Sequence, residues 1–302
     1  MMRVGVIGVG SMGQNHARVY SEIAELAGVY DAMGEQARKI GARFSCPVFE
    51  DIDAMLTDVD AVSVCTPTST HFEVAMKAIE SGVNLLVEKP FTGDSKKAAA
   101  LQTAAEKAGV TIASGFIERF NPIIPEIKRI CKKPLYVEIN RHNPASARIT
   151  GSSVVEDLMI HDIDILRHVL FDEKYSLSAG GTRDIASAFF RFGTTPAYLS
   201  ASRKSSKKIR RIYIEEEDLT VEGDFMNQEI FTYYKPDKYH VENERYVQEN
   251  IIEKVMVNKV EPLRVELQTF LECAKKRNPF PVTPEQALEN LRICEEIQTF
   301  LS

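Results

Sequence analysis

Short, continuous apolar runs alternate with stretches of helical apolar spacing through the first third of the chain. The runs are rich in β-branched residues, which is typical of strands that are buried on both faces. Such alternation predicts a doubly wound parallel sheet in an α/β fold. The predicted strands are Arg3–Ile7, Leu26–Tyr30, Ala61–Cys65, Asn84–Val87 and Thr111–Ser114. Among the helices predicted between them are Gly34–Phe44, Phe72–Glu80 and one that Asp94 caps.

The alternation ends near Phe116–Asn121, and strand patterns with short turns dominate the rest of the chain. Short turns predict mostly antiparallel pairing. Helices are predicted at Pro122–Cys131, near Asp157–Val169 and twice at the C-terminal end. We therefore predict two domains, at residues 1–118 and 119–302. The predicted strands of the second domain are Leu135–Asn140, Tyr175–Gly180, Ala186–Phe192, Ala197–Ala201, Arg210–Glu215, Leu219–Asp224 and Glu229–Tyr234.

Three glycines stand between the first predicted strand and the first helix, as Gly8, Gly10 and Gly13 in the pattern G-x-G-x-x-G. In a dinucleotide-binding turn the first glycine permits the tight turn, the second lets a pyrophosphate approach the backbone, and the third lets helix and strand pack closely. The helix N-terminus offers N–H groups to the phosphates. Asp31 follows the second strand at the offset expected for a ribose-binding carboxylate, with no basic residue directly after it. This context favours a Rossmann domain that binds NAD rather than NADP.

Other chemically active side chains follow the next two predicted strands, at the edge of the sheet where doubly wound proteins bind ligands. Thr66 and Pro67 come directly after one strand, and Glu88 and Lys89 after the next. His71 begins the helix that follows Thr66, where it could line a cofactor or simply cap the helix. Pro90 restricts the backbone of Lys89 to extended conformations.

Asp157 and His161 are i, i+4 neighbours on a predicted helix, so a carboxylate and an imidazole can share one face. A carboxylate orients an imidazole and favours its protonated form, which suits a proton shuttle near neutral pH. From spacing alone, a surface ion pair is the favoured interpretation.

Composition narrows the possible partners. The chain has 302 residues, of which 44% are hydrophobic and 26% charged, with a net charge of −6 and five scattered cysteines. This charge gives no general attraction to nucleic acid or to an anionic membrane. The basic run from Arg203 to Arg211 precedes an acidic run, which predicts a solvated hairpin. No apolar run is long enough to span a bilayer, and neither a signal peptide nor a metal site is expected. The isolated cysteines predict buried thiols in a cytoplasmic protein.

Together these motifs resemble the glucose–fructose oxidoreductase/inositol dehydrogenase/rhizopine catabolism (Gfo/Idh/MocA) family of NAD(P)-dependent oxidoreductases. The resemblance covers essentially the whole chain, because the motifs occur in the family's order and spacing. They are the glycine turn, Thr66-Pro67 with His71, Glu88-Lys89-Pro90, Arg119-Phe120-x-Pro122 and Asp157-x-x-x-His161-x-x-Asp164. Met159 stands where many relatives have glycine, which puts the shape of the pocket in doubt. The resemblance also implies a homodimer or homotetramer built on the open sheet face of the second domain.

In this family the lysine of the E-K-P motif and the Asp/His pair form the catalytic group, which here implies Lys89, Asp157 and His161. The nicotinamide of NAD takes a hydride from a secondary alcohol. His161 would be the general base, Asp157 would orient it, and Lys89 would hydrogen-bond the reacting oxygen. The expected cofactor-binding residues are Gly8, Gly10, Ser11, Met12, Gly13, Asp31, Thr66, Pro67, His71, Glu88 and Lys89. The expected substrate-binding residues are Lys89, Arg119, Asn121, Arg141, Arg148, Asp157 and His161.

The expected substrate is a sugar or a sugar nucleotide. The local sequence is most similar to family members that oxidise C3 of UDP-N-acetylglucosamine, in the runs 117–122, 157–164 and 227–229. Arg141 and Arg148 could clamp a diphosphate, or could equally be exposed loop residues. The alternatives are a generic inositol or monosaccharide dehydrogenase, a family member with redox-neutral chemistry, and a non-catalytic dinucleotide-binding regulatory protein.

Overall fold

The computed structural model describes residues 1–144, 151–235, 239–242, 245–248 and 251–302. These residues form two compact units, each of which consists of two separate segments of the chain. The first unit comprises Met1–Phe120 and Glu261–Arg292, and the second comprises Asn121–Val260 and Ile293–Ser302. The predicted boundary at residue 118 did not include this return of the chain to the first unit. The apolar stripe of a helix does not indicate which domain it packs against.

The first unit is built on a five-stranded sheet in the order β2-β1-β3-β4-β5, with every pair parallel. The strands are β1 Arg3–Ile7, β2 Glu25–Tyr30, β3 Ala61–Val64, β4 Asn84–Glu88 and β5 Ile112–Gly115. The sequence therefore predicted all five strands, and the doubly wound architecture is confirmed. The strand order reverses at β1, so a ligand crevice is expected at the carboxyl ends of the neighbouring strands.

Five helices connect these strands: α1 Gly13–Ile23, α2 Gly34–Phe44, α3 Ile52–Leu56, α4 Thr68–Glu80 and α5 Ser95–Ala108. Asp51 and Asp94 cap α3 and α5, each accepting a hydrogen bond from a backbone N–H three residues later. Helix α4 begins at Thr68, four residues before the predicted start, directly after Pro67. His71 consequently lies within the first turn of α4 rather than in front of it.

The second unit contains an eight-stranded sheet in the order β15-β12-β11-β10-β6-β9-β8-β7. Its pairs are antiparallel except for β6 with β9, which confirms the predicted mostly antiparallel sheet. Side chains alternate between buried and more exposed along β6 and β8, so one face is covered and the other is open. The strands are β6 Tyr136–His142, β7 Tyr175–Gly181, β8 Ile185–Phe192, β9 Thr195–Ser202, β10 Ile209–Glu215, β11 Leu219–Asp224, β12 Glu229–Tyr234 and β15 Ile251–Val255, with β13 Tyr239–Glu242 and β14 Arg245–Gln248 forming a separate pair.

Helix α6 (Ile123–Ile130) begins the second unit. The helix predicted near 157–169 is a continuous run in which α7 (Ile160–Ile165) stands between two π-helical turns, Val155–Met159 and Leu166–Leu170. Such π turns are rare and are frequent at functional sites. The sequence pattern did not predict them, because a π turn changes the apolar spacing by only one residue.

Two helices end the chain, α8 (Pro262–Lys276) and α9 (Pro284–Gln298). Helix α8 packs against α1 within the first unit, and the ion pairs Arg18–Glu261 and Arg264–Glu22 flank this contact. Within the described part of the chain, no helix has the length and apolar character that crossing a membrane requires.

Candidate functional site

The glycine turn between β1 and α1 has the shape that a dinucleotide requires. Gly8 has a φ of +86°, and a Cβ added there would lie 2.8 Å from the backbone of Cys65. A Cβ on Gly13 would lie 1.8 Å from the carbonyl oxygen of Gly8, so helix and strand could not pack as they do. A Cβ on Gly10 would meet nothing within 4 Å. The first and third glycines are therefore needed by the fold, and the second leaves open space beside the backbone, as a bound pyrophosphate requires.

Asp31 lies directly beside this turn. Its Oδ2 accepts a hydrogen bond from the backbone N–H of Val9 at 2.8 Å, and its Oδ1 accepts one from Met33 at 2.9 Å. A carboxylate has about four lone-pair sites, so both oxygens can still accept from ribose hydroxyls. The Gln36 side chain donates to the carbonyl of Val9 at 2.9 Å and steadies the turn from α2. Sequence analysis missed Gln36, whose one signal is its position in the first turn of α2. These residues fit NAD.

His71 joins the loops that follow β3 and β4. Its Nδ1 lies 2.9 Å from the carbonyl oxygen of Pro90, and its Nε2 lies 2.8 Å from that of Thr66. Burial lowers the pKa of His71, so the neutral ring donates to one carbonyl at a time. No side chain caps the N-terminus of α4, which removes the helix-cap alternative for His71. A role in lining the cofactor stays a prediction for Thr66, Pro67 and His71.

Glu88, the last residue of β4, is held in a buried hydrogen-bonded network within the first unit. Its Oε1 accepts from Nε2 of His16 at 3.0 Å, and its Oε2 accepts from the backbone N–H of Lys89 at 3.1 Å. The network continues from Nδ1 of His16 to the Ser63 hydroxyl at 3.0 Å, and from there to the Tyr20 hydroxyl at 2.9 Å. Both Glu88 oxygens therefore have protein partners, and the structure gives this residue a supporting position that the predicted cofactor role did not include.

The charge of Glu88 differs from that of a second buried carboxyl, Glu266 on α8. Burial acts to raise the pKa of Glu88, but the hydrogen bond from His16 and the charges of His16 and Lys89 hold it below its ordinary value. Glu266 is 0% exposed, and neither of its oxygens has a hydrogen-bond partner among the described residues. Burial, with the charge of Glu88, raises the pKa of Glu266 well above its ordinary value. The pKa values of the two buried carboxyls are thus shifted in opposite directions, Glu88 toward the ionised form and Glu266 toward the neutral form.

In the second unit, the predicted acid/base pair lies on the helix with the π turns. Asp157 is in the first π turn, and His161 is the second residue of α7 and is buried. Met159, at the position where the family resemblance leads one to expect glycine, is the last residue of that π turn and is fully buried. Its side chain is therefore part of the packing that fixes this helix.

Arg203 is a neighbour of Asp157 that the sequence did not reveal. It is only 6% exposed, and its Nη1 lies 4.0 Å from Oδ2 of Asp157. Its Nη2 donates to Oδ1 of Asp184 at 2.9 Å and to the carbonyl of Arg183 at 3.1 Å. The predicted solvated hairpin is wrong for Arg203, since its side chain folds against the turn between β7 and β8 instead of entering solvent.

Arg141 and Asn121 are both buried and hydrogen-bonded within the second unit, and their role in substrate binding stays a prediction. Arg141 is 1% exposed, and its Nε and Nη2 donate to Oδ1 of Asp162 at 2.9 and 2.7 Å. This guanidinium is therefore part of a buried ion pair and is not an exposed group, and loss of either partner would leave an uncompensated buried charge. Asn121 is also buried, and its amide donates to the carbonyl of Phe225 at 3.0 Å.

The remaining predicted residues divide between the two units. Lys89 and Arg119 are half-buried in the first unit. Asp157 and His161 belong to the second, so the predicted catalytic group takes members from both and stays a prediction. Arg148 lies outside the described residues. No group of three or more potential metal-ligating side chains occurs in the described ranges of the chain.

Comparison with known proteins gives matches in sequence and in structure. The model of the GFO_IDH_MocA oxidoreductase family, with an NAD-binding Rossmann fold, matches residues 2–116. The chain is 39% identical over 242 residues to the UDP-N-acetylglucosamine 3-dehydrogenase of Acidithiobacillus ferrooxidans, which covers 78% of this chain and 77% of that protein. It is 35% identical over 202 residues to inositol 2-dehydrogenase 4 of Saccharopolyspora erythraea, which covers 62% and 59% of the two chains.

Solved structures match almost the whole length of the chain. The structure of the UDP-N-acetylglucosamine 3-dehydrogenase from Acidithiobacillus ferrooxidans matches with a TM-score of 0.90 at 33% identity, over 99% of this chain and 97% of that one. A levoglucosan dehydrogenase in complex with NADH and L-sorbose matches with a TM-score of 0.82, over 99% of this chain and 96% of that one. The second match has 18% identity and therefore concerns the fold alone.

Proposed function

The chain belongs to the Gfo/Idh/MocA family of NAD-binding oxidoreductases, and we propose that it oxidises UDP-N-acetylglucosamine at C3. The observation that carries this proposal is the extent of the similarity to the Acidithiobacillus protein. It includes the second unit and not only the dinucleotide-binding part, with a TM-score of 0.90 over 99% of the chain. Because function depends on the site and not on the fold alone, similarity in sequence and structure that extends through the second unit bears on the substrate class.

The proposed mechanism assigns each step to a side chain. When bound, NAD supplies the hydride acceptor, its pyrophosphate held at Gly10 and the start of α1 and its ribose at Asp31. The imidazole of His161 takes the proton of the substrate hydroxyl as general base. Asp157 orients that imidazole and stabilises the cation it becomes. Lys89 donates a hydrogen bond to the reacting oxygen of the substrate while negative charge develops on that oxygen.

A substrate screen tests the proposal. The purified protein is incubated with NAD and, separately, with UDP-N-acetylglucosamine, free N-acetylglucosamine, UDP-glucose, glucose and myo-inositol, while the absorbance of reduced nicotinamide is followed. We expect UDP-N-acetylglucosamine to be oxidised, with the product ketone at C3 identified by NMR, and the uncharged sugars to react weakly or not at all. Robust oxidation of myo-inositol or glucose with the UDP-sugars inert would instead make the protein a generic inositol or monosaccharide dehydrogenase.

We also propose that two or four copies associate through the open face of the eight-stranded sheet. This face exposes Ile185 and Phe189 of β8, and next to β11 it has a hollow of about 420 Å³. Apolar side chains exposed on one sheet face are typical of an interface. Sedimentation velocity should give a dimer or tetramer, and Phe189→Glu should shift it toward monomer. A monomeric wild-type protein would exclude this assembly.

A cytoplasmic location is proposed on the cysteines. All five, Cys46, Cys65, Cys131, Cys273 and Cys294, are free thiols, as is usual in a reducing compartment. Cell fractionation with an antibody to the native protein would test this location.

A further inference from the structure

The end of β4 combines Lys89, a predicted catalytic residue, with the buried charge of Glu88, for which the sequence predicted only a cofactor-binding role. Glu88 is 7% exposed, and its negative charge is retained although burial opposes it. Burying an ionised carboxylate is costly unless it is paired and hydrogen-bonded. A neutral side chain of similar size would satisfy packing alone, so the retained charge indicates a function beyond packing.

Both oxygens of Glu88 are used, and they point to different parts of the first unit. Oε2 accepts the backbone N–H of Lys89 at 3.1 Å, whereas Oε1 accepts Nε2 of His16 at 3.0 Å. Because a carboxylate only accepts hydrogen bonds, Nε2 of His16 must be the protonated nitrogen. The Ser63 hydroxyl, 3.0 Å from Nδ1, holds the other side of the ring. The carboxylate is thus fixed at two points in a geometry that leaves it little freedom.

The next strand makes room for this arrangement. Gly115 ends β5 beside β4, and a Cβ on it would lie 3.1 Å from the carboxyl carbon of Glu88 and 3.2 Å from its Oε1. Such distances are tighter than ordinary contacts, so a side chain at residue 115 would displace the carboxylate. Because residue 115 is glycine, the space beside it is left to the Glu88 carboxylate.

We propose that Glu88 is a positioning residue. It fixes the backbone of Lys89 with one carboxylate oxygen, and with the other it links this backbone through His16 to the start of α1. His16 lies in the first turn of α1, directly after the glycine turn. The network thereby connects the dinucleotide turn to the residue that would bind the reacting oxygen. This inference rests on the proposed function, because it needs Lys89 to act in the reaction.

Two isosteric substitutions test the inference, with Glu266→Gln as the matched control for Glu88→Gln. Both replace a buried carboxyl of the first unit by an amide of the same shape, but only the carboxyl of Glu88 accepts hydrogen bonds from His16 and the backbone of Lys89. We expect Glu88→Gln to lower kcat with UDP-N-acetylglucosamine by about tenfold or more, with the Kd for NADH changed by less than about twofold. Glu266→Gln should keep kcat within about twofold of the wild type.

A second pair of variants keeps the test decisive if Glu88→Gln does not fold. His16→Gln retains an N–H donor toward Glu88, and His16→Leu removes it. A positioning role requires His16→Gln to keep more of kcat than His16→Leu at equal thermal stability. Equal losses of kcat in the two His16 variants, or in the Glu88 and Glu266 variants, would overturn the inference in favour of packing alone. A weaker Kd for NADH at unchanged kcat would overturn it in favour of direct cofactor binding.

Lys89→Ala separates this inference from the proposed function. If Lys89→Ala loses turnover while Glu88→Gln retains it, Glu88 is not a positioning residue and the proposed function stands. If Lys89→Ala turns over normally, the assignment of Lys89 fails, and the inference fails with it.

Discussion

The two units support their predicted catalytic side chains with buried charges of opposite sign. In the first unit the carboxylate of Glu88 lies against the backbone of Lys89. In the second, the guanidinium of Arg203 lies 4.0 Å from the carboxylate of Asp157. Both supporting groups are almost fully buried, so solvent and salt screen them little. In the first unit an anion, Glu88, thus supports a cation, Lys89. In the second unit a cation, Arg203, supports an anion, Asp157.

The supporting groups differ in how they are attached. Glu88 is the chain neighbour of Lys89 and bonds to its main chain, so its loss would move the backbone of Lys89 itself. Arg203 is held by Asp184 and the carbonyl of Arg183, which are remote from Asp157 in sequence. Its loss would remove charge beside Asp157 and leave the helix backbone in place. We therefore expect positioning to dominate in the first unit and electrostatics in the second.

The largest effects are expected from the residues that these charges support. Replacing Lys89 or His161 by alanine should lower turnover by at least about a hundredfold, because each acts on the reacting hydroxyl in the transition state. Both variants should still bind NADH. Steady-state kinetics with UDP-N-acetylglucosamine, together with titration of NADH fluorescence, measures the two quantities. Near-normal turnover in both variants would remove the premise of the comparison.

A smaller effect is expected for Arg203→Met, which keeps the aliphatic stem and removes the guanidinium. Loss of the charge beside Asp157 should lower kcat by about tenfold with little change in KM. Lys204→Met is the matched control, since the Lys204 side chain is 57% exposed and its Nζ lies 3.0 Å from Oδ2 of the same Asp184. The control should stay within about twofold of the wild type. Equal kcat values in the two variants would show that Arg203 contributes nothing through Asp157.

The two units also differ in how far the sequence predicts them. In the first, the carboxyl ends of parallel strands share one edge, so the positions of Thr66, Glu88 and Lys89 follow from the strand pattern alone. Asp157 and His161 were found from spacing and family resemblance. Arg203 was not, because its burial depends on how the turn between β7 and β8 folds, which no local pattern encodes. The burial of Arg141 was also not predicted, because it depends on a contact between β6 and α7, where Arg141 pairs with Asp162.

Two buried polar residues of the first unit did leave a signal in the sequence. Glu266 occurs on the apolar stripe of α8, between Leu263 and Phe270, and His16 lies on the buried stripe of α1. A polar residue at a core position of an amphipathic helix is either paired or neutral when buried. Periodicity can therefore identify such residues, although it cannot identify the partner that decides their charge.

A more modest change is expected for the choice of cofactor, which depends only on the first unit. Asp31→Ser removes the carboxylate that would repel a 2′-phosphate and retains a short hydrogen-bonding side chain. The ratio of kcat/KM for NAD to that for NADP should fall by about tenfold, mainly through KM for NADP. Variants of Arg203 in the second unit should leave this ratio unchanged. A wild-type preference for NADP would show that Asp31 does not face the ribose.

The smallest effects concern the pH dependence of stability, where Glu88 and Glu266 should differ in sign. Both start from an ordinary value of 4.5 in the unfolded chain. The folded-state pKa of Glu88 is lowered. Its ionisation therefore stabilises the folded protein above pH 4.5, and this stabilisation is lost as pH falls through the folded-state pKa. The folded-state pKa of Glu266 is raised. Its protonated form therefore stabilises the folded protein below pH 4.5, and this stabilisation is lost as pH rises through the folded-state pKa.

The two amide variants make this difference measurable. Glu88→Gln should be less stable than the wild type at neutral pH, and this difference in the free energy of unfolding should become smaller in acid. Glu266→Gln should gain relative stability as pH rises, since an amide has no proton to lose on unfolding. Urea unfolding between about pH 4 and 8 gives both differences in free energy. Parallel curves for the two variants would mean that the carboxyls share one charge state, and that the charge supporting Lys89 is not specific to Glu88.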